Sequence, residues 1–124
     1  MTKLSKVTNS EDLCNSIVEG MQDNKAEDIV VIDLRGIENS VADFFVVASG
    51  NSTTQIDGIA NSIVRSTRKN LQEKPWHQEG KITSEWVLLD YVSVVAHIFQ
   101  REIRKFYDLE DLWADGVVRQ IENQ

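Results

Sequence analysis

Apolar and polar positions are patterned most clearly between residues 86 and 99, where two short apolar runs flank a turn. β-Branched, aliphatic and aromatic side chains fill both runs, which is typical of β-strands. A two-residue loop at Val92 and Ser93 makes the runs a hairpin whose side chains alternate between the two sheet faces. One face then carries three cross-strand pairs, Trp86 with Phe99, Leu88 with His97 and Asp90 with Val95. Both faces are largely apolar, which predicts a place at the centre of a sheet that is covered on both sides.

Helical periodicity predicts two longer helices. The first covers residues 9–23, where Leu13, Ile17 and Met21 form one apolar stripe. The second runs to about Leu71 and begins at a capping box made by Ser52 and Gln55. At the start of the first helix two capping boxes are equally available, Thr8 with Glu11 and Asn9 with Asp12.

The remaining elements are short. Strands are predicted at residues 29–34, 44–48 and 76–78, a short helix at 101–107 and a helical turn at 108–113. The first two strands are read as antiparallel neighbours, because a parallel crossover needs roughly a dozen residues or more. The tail after Gly116 is expected to be loose or a final amphipathic turn. This order predicts an α/β fold with a mixed sheet of about five strands flanked by helices.

Composition narrows the range of partners. The chain has 124 residues, a size that indicates a single domain over 1–124, and a net charge of −7. Such an acidic chain is poorly suited to nucleic acid or anionic membranes and well suited to a basic protein. Its longest apolar runs are too short to span a membrane, and its start does not resemble a signal peptide. The single cysteine, Cys14, forms no intrachain disulfide, so we expect a reducing, cytoplasmic setting.

Candidate catalytic residues are few. The histidines His77 and His97 fall on different predicted strands, no zinc-ligand spacing is present, and no phosphate-binding glycine motif follows a strand. The Gly50–Ser52 turn is similar to the Gly-Ser turn of nucleotidyltransferases, which also need a carboxylate pair on a following strand to hold a metal ion. An enzyme of this type would use Ser52 and carboxylates such as Asp33 or Asp90. A turn with a helix cap is the favoured interpretation. We therefore predict no catalytic, cofactor-binding or metal-binding residues.

Aromatic side chains are concentrated towards the end of the chain, and tryptophan and tyrosine are common in interface hot spots. The chain turns back after Phe99, so we expect Tyr107 to lie near Trp86. The expected result is an exposed apolar patch completed by Leu109, Leu112 and Trp113 and rimmed by Asp90, Asp108 and Glu110. In the competing interpretation these rings belong to the core.

Five stretches of the chain together resemble one family. They are residues 26–34 (AEDIVVIDL), 42–52 (ADFFVVASGNS), 86–91 (WVLLDY), 94–99 (VVAHIF) and 104–115 (RKFYDLEDLWAD). The pattern resembles the ribosomal silencing factor family, also called Iojap-like, over about residues 10–116. One departure is the central turn, where the family often has Gly-Asp and this chain has Val92-Ser93.

The resemblance implies a nucleotidyltransferase-like fold without a demonstrated enzymatic activity. It implies binding to the large ribosomal subunit through universal protein fourteen, which blocks association with the small subunit and represses translation under nutrient limitation. It also implies a homodimer in the free state. A nucleotidyltransferase-type enzyme and a purely structural dimer module remain the alternatives. The residues expected to bind the basic ribosomal protein are Trp86, Asp90, Tyr91, His97, Phe99, Phe106, Tyr107, Leu109, Leu112 and Trp113.

Overall fold

Over residues 8–122, the part of the chain that the computed structural model describes, a six-stranded mixed sheet carries helices on both faces. The helices are α1 (Ser10–Asp23), α2 (Thr53–Leu71), α3 (Arg101–Tyr107) and α4 (Leu109–Leu112). The strands are β1 (Glu27–Asp33), β2 (Phe44–Gly50), β3 (His77–Glu79), β4 (Trp86–Asp90), β5 (Val94–Gln100) and β6 (Val117–Gln120). No helix within these residues has both the length and the apolar character needed to cross a bilayer.

The sheet order is β3-β4-β5-β2-β1-β6, with β2 and β5 parallel at its centre. The predicted β4–β5 hairpin is confirmed in its register: Trp86 pairs with Phe99, Leu88 with His97 and Asp90 with Val95. The antiparallel pairing of β1 with β2 is confirmed as well. The prediction for the tail is wrong, because residues 117–120 form β6 and pair with β1, which brings the sheet to six strands rather than about five.

The first face of the sheet is covered by α1 and α2, which hold the larger part of the core. Asn9 caps α1 by accepting hydrogen bonds from the backbone N–H groups of Glu11 and Asp12, so the second of the two possible capping boxes supplies the cap. The Ser52 hydroxyl accepts the Gln55 N–H, and the Gln55 side chain accepts the Asn51 N–H, which confirms the predicted start of α2. These caps satisfy backbone donors that a helix leaves unpaired.

The second face is covered less completely. A smaller core there contains Phe45, Val95 and Phe99, together with Leu109 of α4 and half-buried side chains that include Trp86 and Trp113. The segment before β2 and the α3–α4 corner lie over parts of this face. The half-buried Leu88 and the strongly exposed Trp76, Val41 and Val92 mark the part that remains open. This face therefore positions the candidate site.

Candidate functional site

The aromatic rings at the end of α3 and on β4 form one cluster. Tyr107 lies 4.5 Å from Trp86 between ring centroids, which confirms that the chain folds back to bring these two rings together. Trp86 also stacks on Phe99 at 4.7 Å, and Phe106 meets Tyr107 edge to face at 5.2 Å. Such geometries are favourable for aromatic pairs beyond the area that they bury.

Part of this cluster is open to solvent. Phe106, Leu112 and Tyr107 are 80%, 69% and 46% exposed, whereas Trp86 and Trp113 are half-buried. We call the surface formed by Trp86, Phe106, Tyr107, Leu112 and Trp113 the aromatic patch. Exposed apolar surface of this kind marks binding sites in soluble proteins.

Four residues predicted for the binding surface are buried, namely Tyr91, Phe99, Leu109 and His97. Phe99 is fully buried beneath Trp86, and Leu109 packs into the core of the second face. Both therefore support the patch from below. Tyr91 lies on the opposite face, where its hydroxyl is 2.9 Å from the Thr67 hydroxyl and burial raises its pKa to about 12. Strand alternation places Tyr91 on that face, so it does not reach the aromatic patch.

His97 is also buried, and it holds Trp86 in place. The Trp86 Nε1–H donates to His97 Nδ1 over 3.1 Å, so the proton of the neutral imidazole is on Nε2. Burial lowers the pKa of His97 to about 4, and the ring is therefore uncharged near neutral pH. Its role at this surface is to orient the indole.

Arg104 fixes the α3–α4 corner that carries Tyr107, Leu112 and Trp113. Its buried guanidinium donates to the Asp28 carbonyl oxygen at 2.6 Å and to the Ser49 hydroxyl at 2.8 Å. It also pairs with Glu110 at 2.6 Å. Sequence reasoning did not select Arg104, because an arginine in a short helix is usually exposed and its partners are distant in the chain.

Exposed carboxylates lie on one side of the aromatic patch, and of the three predicted for its rim only Asp108 is both exposed and close to it in the chain. Asp108, Asp111 and Asp115 are exposed on the segment that carries the patch, and Asp90 lies half-buried at the far end of β4. Glu110, which we expected at the rim, is instead held by Arg104. A rim of this charge attracts a basic partner and orients its approach.

The enzyme alternative requires groups that the fold keeps apart. Ser52 follows the end of β2. Asp33 lies at the opposite end of the sheet, because it pairs with Phe44 at the start of β2. Asp90 lies at that opposite end too, because it pairs with Val95 near the start of β5, which runs parallel to β2. Hydrogen bonds from Arg35 also occupy Asp33 and lower the pKa of that carboxyl. Ser52, Asp33 and Asp90 therefore do not form a nucleotidyltransferase-like metal site.

A metal centre and a reactive cysteine are the two remaining kinds of site. Between residues 8 and 122, no three histidine, cysteine, aspartate or glutamate side chains converge closely enough to hold a metal ion. The Cys14 thiol is buried, and burial raises its pKa to about 11, so it is protonated at neutral pH.

Comparison with known proteins identifies the relatives of this chain. Residues 7–124 match the family model described as ribosomal silencing factor during starvation. The ribosomal silencing factor of Bacillus subtilis is 37% identical over 87% of this chain and 90% of its own length. That of Halalkalibacterium halodurans is 34% identical over 91% and 95%. A crystal structure from Chromobacterium violaceum matches with a TM-score of 0.80 at 29% identity, over 86% of this chain and 88% of that one.

Proposed function

This chain belongs to the ribosomal silencing factor family, and we propose that it represses translation by binding the large ribosomal subunit and blocking its association with the small subunit. Universal protein fourteen, a basic protein of the large subunit, is the proposed point of contact. The chain acts in this proposal as a binding protein and not as an enzyme.

The aromatic patch is the observation that carries this proposal. It combines exposed apolar rings with exposed carboxylates, on a chain whose net charge is −7. Aromatic side chains supply the buried centre of a protein interface, and rim charges raise the rate of encounter. Trp86 is held from three sides, by Phe99, Tyr107 and His97, so the patch is ordered before a partner arrives. Such preorganisation lowers the entropic cost of binding.

Tyr107→Ala tests the proposal most directly. Because Tyr107 is 46% exposed but contacts Trp86, its loss should lower the melting temperature by only a few degrees and leave the protein folded. We expect large-subunit binding, measured by co-sedimentation, to weaken about thirtyfold, or about 2 kcal/mol, as at an interface hot spot. Trp86→Ala should weaken binding similarly and also destabilise the fold, because Trp86 is half-buried against Phe99.

The matched control is Ile82→Ala. Ile82 is fully exposed and lies in the loop between β3 and β4, away from the contacts of the aromatic patch, so its loss should leave binding unchanged. Wild-type protein should also reduce the yield of joined ribosomes when the two subunits are mixed. The proposal is wrong if wild-type protein does not sediment with large subunits at low salt, or if a folded Tyr107→Ala variant binds as tightly as wild type.

A free-state homodimer remains a prediction. The open part of the second sheet face is consistent with one, and a two-fold contact is the default geometry for such pairs. The nucleotidyltransferase alternative has lost its main support, because the carboxylates that it needs lie at the other end of the sheet from Ser52.

A further inference from the structure

An apolar groove lies beside the aromatic patch on the same sheet face. It encloses about 340 Å³, and its walls are Val41, Phe45, Trp76, Leu88, Val92 and Val95. We call it the Trp76 groove. Trp76, Val41 and Val92 are 79%, 70% and 62% exposed, so large apolar side chains are grouped around one opening. Single exposed apolar residues are ordinary, but a group around a cavity indicates a binding site.

The backbone at Trp76 is held by hydrogen bonds, although the side chain is largely exposed. Its N–H donates to the Asp90 carbonyl oxygen over 2.8 Å, and the next residue, His77, is paired with Asp90 in the sheet. Pro75 precedes it and restricts the chain further. The indole is therefore held at the groove by an ordered segment while most of its surface faces solvent.

Val92 keeps an apolar side chain at the groove despite a conformational cost. Its φ is +76°, a left-handed value that is unfavourable for a β-branched residue. The Ser93 N–H donates to the Tyr91 carbonyl oxygen over 3.0 Å, which closes a tight γ-turn around Val92. Glycine or asparagine would fit this turn with less strain. Strain of this kind is often found at functional sites.

The groove also contains polar groups that suit a particular occupant. His97 Nε2 is shielded from solvent and has no hydrogen-bond partner within residues 8–122, although it carries the imidazole proton. An occupant of the groove with a backbone carbonyl oxygen close to His97 Nε2 would supply the missing acceptor. The half-buried Asp90 carboxylate at the groove favours a neighbouring lysine or arginine on that occupant.

The groove and the aromatic patch share a border. His97 lies in the groove and accepts the hydrogen bond from Trp86 of the patch. Phe45 forms a wall of the groove and meets Trp113 of the patch edge to face, with 5.7 Å between ring centroids. The two surfaces are therefore close enough for one partner lying across the sheet face to contact both.

We propose that the Trp76 groove is a second contact for the basic large-subunit protein that covers the aromatic patch, and that it receives an apolar side chain of that protein with its adjoining backbone carbonyl. This inference rests on the proposed function. It adds to the binding surface Trp76, Val41 and Val92, none of which was among the predicted binding residues.

The test measures the affinity of Trp76→Ala for purified large ribosomal subunits by co-sedimentation. Ile82→Ala is the control, since it removes an apolar side chain that is even more exposed than Trp76 and lies outside the groove. We expect Trp76→Ala to weaken binding about tenfold or more, as at an interface hot spot, and Ile82→Ala to have no measurable effect. Both variants should melt within about a degree of wild type, because exposed side chains contribute little to stability.

Val92→Gly provides a second, independent readout. It relieves the strained turn and removes an apolar side chain from the groove, so it should raise the melting temperature and still weaken large-subunit binding. A residue with only a structural role would not give this opposite pair of effects. If Trp76→Ala fails to fold, the binding affinity of Val92→Gly still tests whether the groove contacts the large subunit.

The outcomes separate this inference from the proposed function. If wild-type protein does not bind large subunits, both are wrong. If wild type binds and the folded Trp76→Ala and Val92→Gly variants bind equally well, only the groove assignment is wrong. If Trp76→Ala instead halves the molar mass measured by light scattering, a second copy of the chain occupies the groove, and the assignment to the ribosomal partner is overturned.

Discussion

Replacing Arg104 with methionine is expected to destabilise the fold and to disturb the aromatic patch together. Methionine retains much of the aliphatic stem, so the substitution chiefly removes the guanidinium. Three groups then lose a donor: the Asp28 carbonyl oxygen, the Ser49 hydroxyl and the Glu110 carboxylate. The first two belong to β1 and β2, whereas Glu110 lies in α4, so the corner that carries Tyr107 loses its attachment to the sheet.

The magnitude follows from burial. Removing one partner of a buried ion pair costs roughly 3–5 kcal/mol, because the other charge is left without compensation. The side chain of Arg104 is only 11% exposed, but that of Glu110 is 30% exposed, so water will compensate part of the loss. We therefore expect the free energy of unfolding of Arg104→Met to fall by about 3 kcal/mol, at the lower end of that range.

Urea unfolding, followed by circular dichroism, measures this loss. Lys105→Met is the matched control, because Lys105 is the exposed neighbour on the same helix, and its stability should stay within about 0.5 kcal/mol of wild type. A double-mutant cycle with Glu110→Gln should give a coupling energy of about 1–3 kcal/mol. Folded Arg104→Met should also bind large subunits more weakly than Lys105→Met.

The reasoning is refuted if Arg104→Met is as stable as Lys105→Met. It is also refuted in part if Arg104→Met is destabilised but, under conditions where it is folded, binds large subunits like wild type. In that case Arg104 stabilises the domain without positioning the aromatic patch.

Two further predictions concern the core. Gly20→Ala places a Cβ 2.6 Å from the Ile63 Cα, so α1 and α2 must separate. Urea unfolding should show that the free energy of unfolding falls by about 1–3 kcal/mol. Gly36→Ala is the control and should be nearly neutral, because a Cβ there meets nothing within 4 Å. His97 has a folded-state pKa of about 4, below its ordinary 6.5, so only the unfolded chain takes up this proton between those values. Stability should be full above pH 6.5 and fall by up to about 3 kcal/mol towards pH 4. His97→Gln should remove that part of the slope in urea titrations, and an unchanged slope would contradict the assignment.

The sequence alone determined the parts of the structure that depend on neighbouring residues. The two-residue loop at Val92 and Ser93 was sufficient to predict the cross-strand pairs of the hairpin, because the position and length of a hairpin loop fix which residues of the two strands face each other. The start of α2 at Ser52 followed from a capping box, which acts within one helical turn. The meeting of Trp86 with Tyr107 followed from the short connection after β5.

Only the tertiary structure decided the features that join distant parts of the chain. Residues 117–120 are exposed and show no alternation, so periodicity did not reveal β6, which is defined by its pairing with β1. The burial of Arg104 depends on acceptors at Asp28 and Ser49, which are 76 and 55 residues away in the chain. The Trp76 groove likewise forms where the segment before β2, the segment before β3 and the β4–β5 turn meet. Periodicity predicts which face of an element is buried. Contacts between elements depend on how the whole chain packs, and the binding surface consists largely of such contacts.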